Sequence, residues 1–67
     1  MDIFAANIDY WRRLRKIKIK RLMDACGIVG RGTWNRHVEE MTMPVEELII
    51  IARELGTTPS ELLKGVK

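Results

Sequence analysis

The 67-residue chain has one cysteine and one histidine. Cys26 has no internal disulfide partner, and a thiol left reduced fits a reducing compartment. The same scarcity argues against a zinc site held by one chain, which needs several Cys or His ligands. The longest uninterrupted apolar run, Leu48-Ile49-Ile50-Ile51-Ala52, is far too short to span a membrane. A basic run begins at Arg12 with no apolar segment of signal length behind it, so no secretory leader is expected. Internal repeats, low-complexity tracts and linkers are absent, as are a nucleophile–base set, a Gly-rich phosphate loop and a redox pair. Glu39-Glu40 and Glu46-Glu47 are paired only in sequence; neighbours on a helix diverge by about 100° and make no acid/base dyad. An enzyme is therefore not expected, and no cofactor, metal site or membrane partner is assigned.

What remains is enough for one domain over residues 1–67. An apolar fraction of 46% excludes a disordered chain. A core of this size is marginal, which favours a compact all-helical bundle or a dimer. The net charge of +3 conceals a strong asymmetry. Residues 10–37 carry nine basic side chains and only Asp24, for +8, whereas residues 38–67 sum to −3. Seven of the 12 basic residues fall between Arg12 and Arg21, and Arg31 and Arg36 follow after a gap. A face of this kind suits a polyanion, because Lys and Arg displace counterions from a phosphate backbone.

Periodicity divides the chain into four or five short helices with no convincing strand. Phe4, Ile8, Trp11 and Leu14 step along one helical face, and Ile19, Leu22, Met23 and Cys26 along another. No strong breaker separates these two sets, so one helix over about residues 3–26 is acceptable on spacing alone. Gly27 reads as a C-cap, followed by apolar Ile28 and Val29. Trp34, His37, Val38 and Met41 give a third face, on a helix expected over Arg31–Met41. Thr42 is the expected N-cap of a fourth helix whose core stripe is Val45, Leu48, Ile49, Ala52 and Leu55, ending at Gly56. Thr58-Pro59-Ser60-Glu61 is a strong start signal for a fifth. Trp11, Trp34, Met23, Met41 and Met43 are expected in the core, His37 at its edge, and Cys26 as a small buried apolar residue.

Short helices, a Gly between two of them and basic residues on both suggest a helix-turn-helix, in which the second helix enters the major groove and the first braces it. Arg pairs with guanine edges and Asn with adenine edges. Arg31, Thr33, Asn35 and Arg36 are accordingly the expected base-reading set. Lys18, Lys20 and Arg21 are the expected phosphate contacts. Arg12, Arg13, Arg15 and Lys16 are expected to supply a long-range field.

At these residues the chain resembles the small lambda-repressor/Cro-like (XRE-type) helix-turn-helix proteins of phages and bacterial regulators. Residues 20–28 look like the family's first motif helix and its turn Gly, and Gly32-Thr33-Trp34-Asn35-Arg36-His37-Val38 is similar to a phage-type recognition helix. Ala52-Arg53-Glu54-Leu55-Gly56 and Ser60-Glu61-Leu62-Leu63 match the helices that close the family's five-helix domain. The likeness covers about residues 8–64 and implies a turn near Lys16–Lys18. It departs at Lys18, where many members have a Ser or Thr cap, and between Gly27 and Trp34, which is one residue longer than the common turn.

The resemblance implies a sequence-specific regulator of double-stranded DNA, cytoplasmic and nucleoid-associated in a bacterial host, in the manner of a phage or prophage repressor. A lone domain reads few base pairs, so a homodimer is expected, with Ile50, Leu62, Leu63 and Val66 as candidate interface residues, Leu62 and Leu63 being equally well explained as core. The alternative is a small antirepressor or protein-interaction module on the same fold, gripping another regulator.

Overall fold

Five of the periodic stretches form helices: α1 (Ile3–Arg15), α2 (Ile19–Cys26), α3 (Arg31–Glu39), α4 (Val45–Leu55) and α5 (Pro59–Leu62). The computed structural model describes residues 2–66, and none of these forms a strand. Asp2 caps α1 by accepting the Phe4 N–H at 3.1 Å, and the Thr58 hydroxyl oxygen accepts the Glu61 N–H at 3.3 Å at the start of α5.

The long-helix alternative fails at Lys16, which closes α1 in the left-handed conformation (φ 57°, ψ 45°). Burial supplies the reason. A helix continued past Arg15 would place Ile17 three residues after Leu14, on the exposed side of α1. Breaking there buries Ile17 to 9% exposure, and its N–H bonds back to the Arg12 carbonyl at 2.9 Å.

α4 lies at the centre of the packing, against α1, α2 and α5, while α1 also packs on α3 and α5. Phe4, Leu22, Ile51, Leu55 and Leu62 are fully buried, joined by Ile8, Ile17, Met23, Ile28, Trp34, Val38 and Ala52 in one cluster. Asn7 ties α1 to the end of α5 by donating to the carbonyls of Leu62 and Lys64, each at 2.8 Å.

Several expected faces are rotated or shortened. In α1 the core face runs Phe4, Ile8 and Trp11 and ends there; Leu14 stays 55% exposed. Arg15, itself exposed, lies over the edge of this face: its guanidinium is 5.7 Å from the Trp11 ring centre and donates to the carbonyls of Leu55 and Gly56 at the end of α4. In α4 the stripe begins at Leu48 and continues through Ile51, Ala52 and Leu55; Val45 and Ile49 are exposed. The all-apolar run 48–52 fits either face, and the extra burial of Ile51 decides between them. α3 stops at Glu39, leaving Met41 outside it, exposed and at positive φ. The N-cap of α4 is Pro44, not Thr42, whose hydroxyl donates instead to the Arg36 carbonyl at 3.5 Å. Trp11, Met43 and Cys26 are half-buried against the core rather than within it.

Candidate nucleic-acid interface

The link from α2 to α3 is four residues long, 27–30. Gly27 occupies the left-handed region (φ 74°) and turns its N–H back to the α2 carbonyls, the position at which a side chain would be strained. The two apolar residues that follow are sorted apart. Ile28 enters the core at 8% exposure, while Val29 is 98% exposed. Gly30 then opens α3.

Trp34 (3% exposed) and Val38 (6%) fix the inner face of α3. His37 at the core edge pairs with Glu47 of α4, Nδ1 to Oε1 at 2.8 Å. With α3 held on that side, Arg31, Thr33, Asn35 and Arg36 are all exposed along it. Steps of about 100° put Arg36 opposite Trp34 and Val38, with Thr33 about 60° from Arg36 on the outer side. Arg31 and Asn35 instead border the cleft between α1 and α3, whose lining includes the carboxylates of Asp9 and Glu39.

The three expected phosphate residues, Lys18, Lys20 and Arg21, are exposed around the start of α2. Arg21 is also tethered to α4 through Glu54, Nη2 to Oε2 at 3.4 Å, with its side chain still 65% exposed. Lys16, Lys18, Lys20 and Arg21 line one groove with Ile17 and Asp24. Lys20 and Arg31 border another, with Val29 between the two helices. Arg12 and Arg15 also serve the fold. Arg12 pairs with Asp9 at 3.3 Å and donates to the Ile17 carbonyl, while Arg15 caps α4.

Helix ends add a second electrostatic feature. α2 and α3 begin without a side-chain cap, at Lys18 and Gly30, and neither has an acid in its first turn. Their unbonded N–H groups and partial positive charge therefore meet no cap or acid from their own first turns; the carboxylates of Asp9 and Glu39 line a cleft with Ile19 and Arg31. α4 also lacks a side-chain cap but carries Glu46 and Glu47 in its first turn. Among the helices that bring cations to the surface, α2 and α3 are thus the two whose N-termini carry neither a side-chain cap nor a first-turn acid.

Cys26 faces away from chemistry of this kind. Burial first, then the carboxylates of Glu47 and Glu54, push its thiol from 9.0 up to about 11. Such a group stays protonated and unreactive at neutral pH. Among the described residues no cluster of His, Cys, Asp and Glu could hold a metal ion, and no helix is long and apolar enough to cross a membrane.

The expected dimer residues scatter. Leu62 is fully buried and belongs to the core, Ile50 and Val66 are half-buried, and Leu63 is 37% exposed. Leu62 is corrected to a core residue because α5 packs it beneath α1 and α4. The larger exposed apolar residues on one face are Ile3, Tyr10 and Leu14 of α1, at 50%, 62% and 55%. Sequence reasoning missed Val29 as a surface feature, since an apolar pair after a C-cap reads as two core contacts. Comparison with protein-family models, curated proteins and solved structures finds no match to this chain.

Proposed function

We propose that the protein is a sequence-specific regulator of double-stranded DNA that uses α2 and α3 as a helix-turn-helix, similar to a phage or prophage repressor of the Cro type. The observation that carries this is the coincidence of two uncapped, acid-free helix N-termini with Lys18, Lys20, Arg21 and Arg31. A phosphate backbone answers both features at once. α3 would lie in the major groove, with Arg36 and Thr33 central and Arg31 and Asn35 toward the α1 side. Lys18, Lys20 and Arg21 would set register through phosphates. No enzymatic step and no cofactor enters this mechanism. The chain regulates by occupying its site.

One copy spans at most 28 Å, less than the roughly 34 Å between half-sites one helical turn apart. Useful specificity therefore calls for two copies on a two-fold site.

Titration against a labelled random duplex, followed by fluorescence anisotropy over a salt series, tests the proposal. Affinity should fall log-linearly with salt at a slope of about −0.9 per phosphate engaged. Absence of binding at low salt would remove duplex DNA as the ligand and leave the protein-interaction alternative, an antirepressor-like grip on another regulator, in its place.

A further inference from the structure

We propose that Val29 is a base-reading contact, recognising the 5-methyl group of a thymine in the major groove; this rests on the duplex-binding function proposed above. Among the described residues Val29 is the most exposed large apolar side chain, at 98%, although its neighbour Ile28 is drawn into the core. The turn does not require an apolar residue at this position. Among the described non-glycine residues only Lys16 and Met41 have positive φ, so Val29 has ordinary backbone geometry that a polar residue would also adopt. Nor does Val29 cover anything in the fold, as its exposure shows.

Its surroundings select the ligand. Val29 immediately precedes Gly30, the N-cap of α3, and lines the same groove as Lys20 and Arg31. The groove carries two cations and one carboxylate, Asp24, so an apolar tip in surroundings of net positive charge fits a polyanion that displays isolated apolar groups among polar ones. Duplex DNA does this: along the major groove the thymine methyl is the apolar feature of the base edges, with phosphates on either side. The β-branched side chain is also stiff at χ1, so little rotamer freedom is lost on contact. Lys20 and Arg31 would hold phosphates or base edges while Val29 distinguishes thymine from cytosine.

The test begins with an operator selected from random duplexes by the native chain. Each thymine is then replaced singly by deoxyuridine, which deletes only the methyl. One replacement per half-site should weaken native binding about fourfold, equivalent to about 0.8 kcal/mol for one buried methyl-sized group. Val29→Ala should bind the thymine and uracil duplexes at that position alike, while remaining folded by circular dichroism and urea midpoint. If Val29→Ala weakens both duplexes equally, or no uracil replacement is felt, the assignment is overturned while duplex binding stands. If no duplex is bound at all, both fall together. Binding to phosphatidylserine vesicles that Val29→Ala abolishes, with no uracil effect on DNA, would assign Val29 to a lipid surface instead and likewise overturn it.

Discussion

Lys20 and Arg36 carry the same charge on adjoining helices, yet their positions give them different work. Arg36 stands opposite the buried Trp34–Val38 face of α3, whereas Lys20 lies in the first turn of α2 beside an uncapped N-terminus. Arg36→Ala is therefore expected to cost about 1–3 kcal/mol on the operator and much less on random duplex. Competition anisotropy with the two duplexes reads the difference, and equal losses on both would take Arg36 out of base reading. Lys20→Ala should lower affinity evenly and reduce the salt slope by about one. Cys26 gives a prediction independent of DNA. Its thiol holds its proton more tightly folded (about 11) than at its ordinary 9.0, so the folded chain binds the extra proton between these values. This contribution is constant below pH 9 and turns against folding as pH rises from about 9 toward about 11. Urea midpoints of the native chain should thus fall more steeply over that window than those of Cys26→Ala. Parallel curves would show that the thiol is not the titrating group. Alkylation at pH 8 should be slow in the folded chain and rapid in urea.

At the scale of elements, the existence of the helices was legible, as were the inner faces of α2 and α3 with Leu22, Met23, Trp34 and Val38 buried; the faces of α1 and α4 were legible only in part. The capping pattern at Thr58-Pro59-Ser60-Glu61 and the Gly27 and Gly56 C-caps were written locally, because a cap is satisfied by residues a few positions away. The α1 face was misread at its last turn because Leu14 and Arg15 both fit helical spacing. Only the fold shows that the exposed Arg15 guanidinium reaches the carbonyls of Leu55 and Gly56, forty residues distant, while Leu14 stays exposed. The break at Lys16 depends likewise on where Ile17 can be buried. Two consequences can be measured. Ile8→Ala should cost about 2–5 kcal/mol, while Leu14→Ala should shift stability by less than about 0.5 kcal/mol. Similar costs for both would mean that Leu14 belongs to the core face after all. Lys16 pays for its left-handed conformation, so Lys16→Gly should stabilise the chain by about 1 kcal/mol in urea unfolding. A loss of stability would show that the Lys side chain contributes more than the strain costs.

Across the whole molecule the basic and acidic halves of the sequence meet where α2 packs on α4. The exposed positions of Arg31, Thr33, Asn35 and Arg36 followed from a single amphipathic pattern, so that part of the candidate site was readable in the sequence. The apportioning of the cations was not. Arg12, Arg15 and Arg21 look alike in a charge run, and only the fold reveals that Asp9, the α4 carbonyls and Glu54 engage them. Glu54 is the informative member, because it faces both Arg21 and Cys26 across the α2–α4 contact. An exposed pair of this kind contributes little to stability, so Glu54→Gln should leave the urea midpoint nearly unchanged. It removes a negative charge beside a proposed phosphate contact and raises the net charge from +3 to one unit higher. Duplex affinity should therefore increase at low salt, with a gain that shrinks as salt screens the surface. The same substitution should lower the Cys26 thiol from about 11, since the Glu54 carboxylate is one of the causes that raise it. Alkylation rate against pH and anisotropy against salt would then move together from one change of charge. A fall in duplex affinity with the thiol shift intact would mean that Glu54 holds Arg21 in position for a phosphate rather than competing with the phosphate for it.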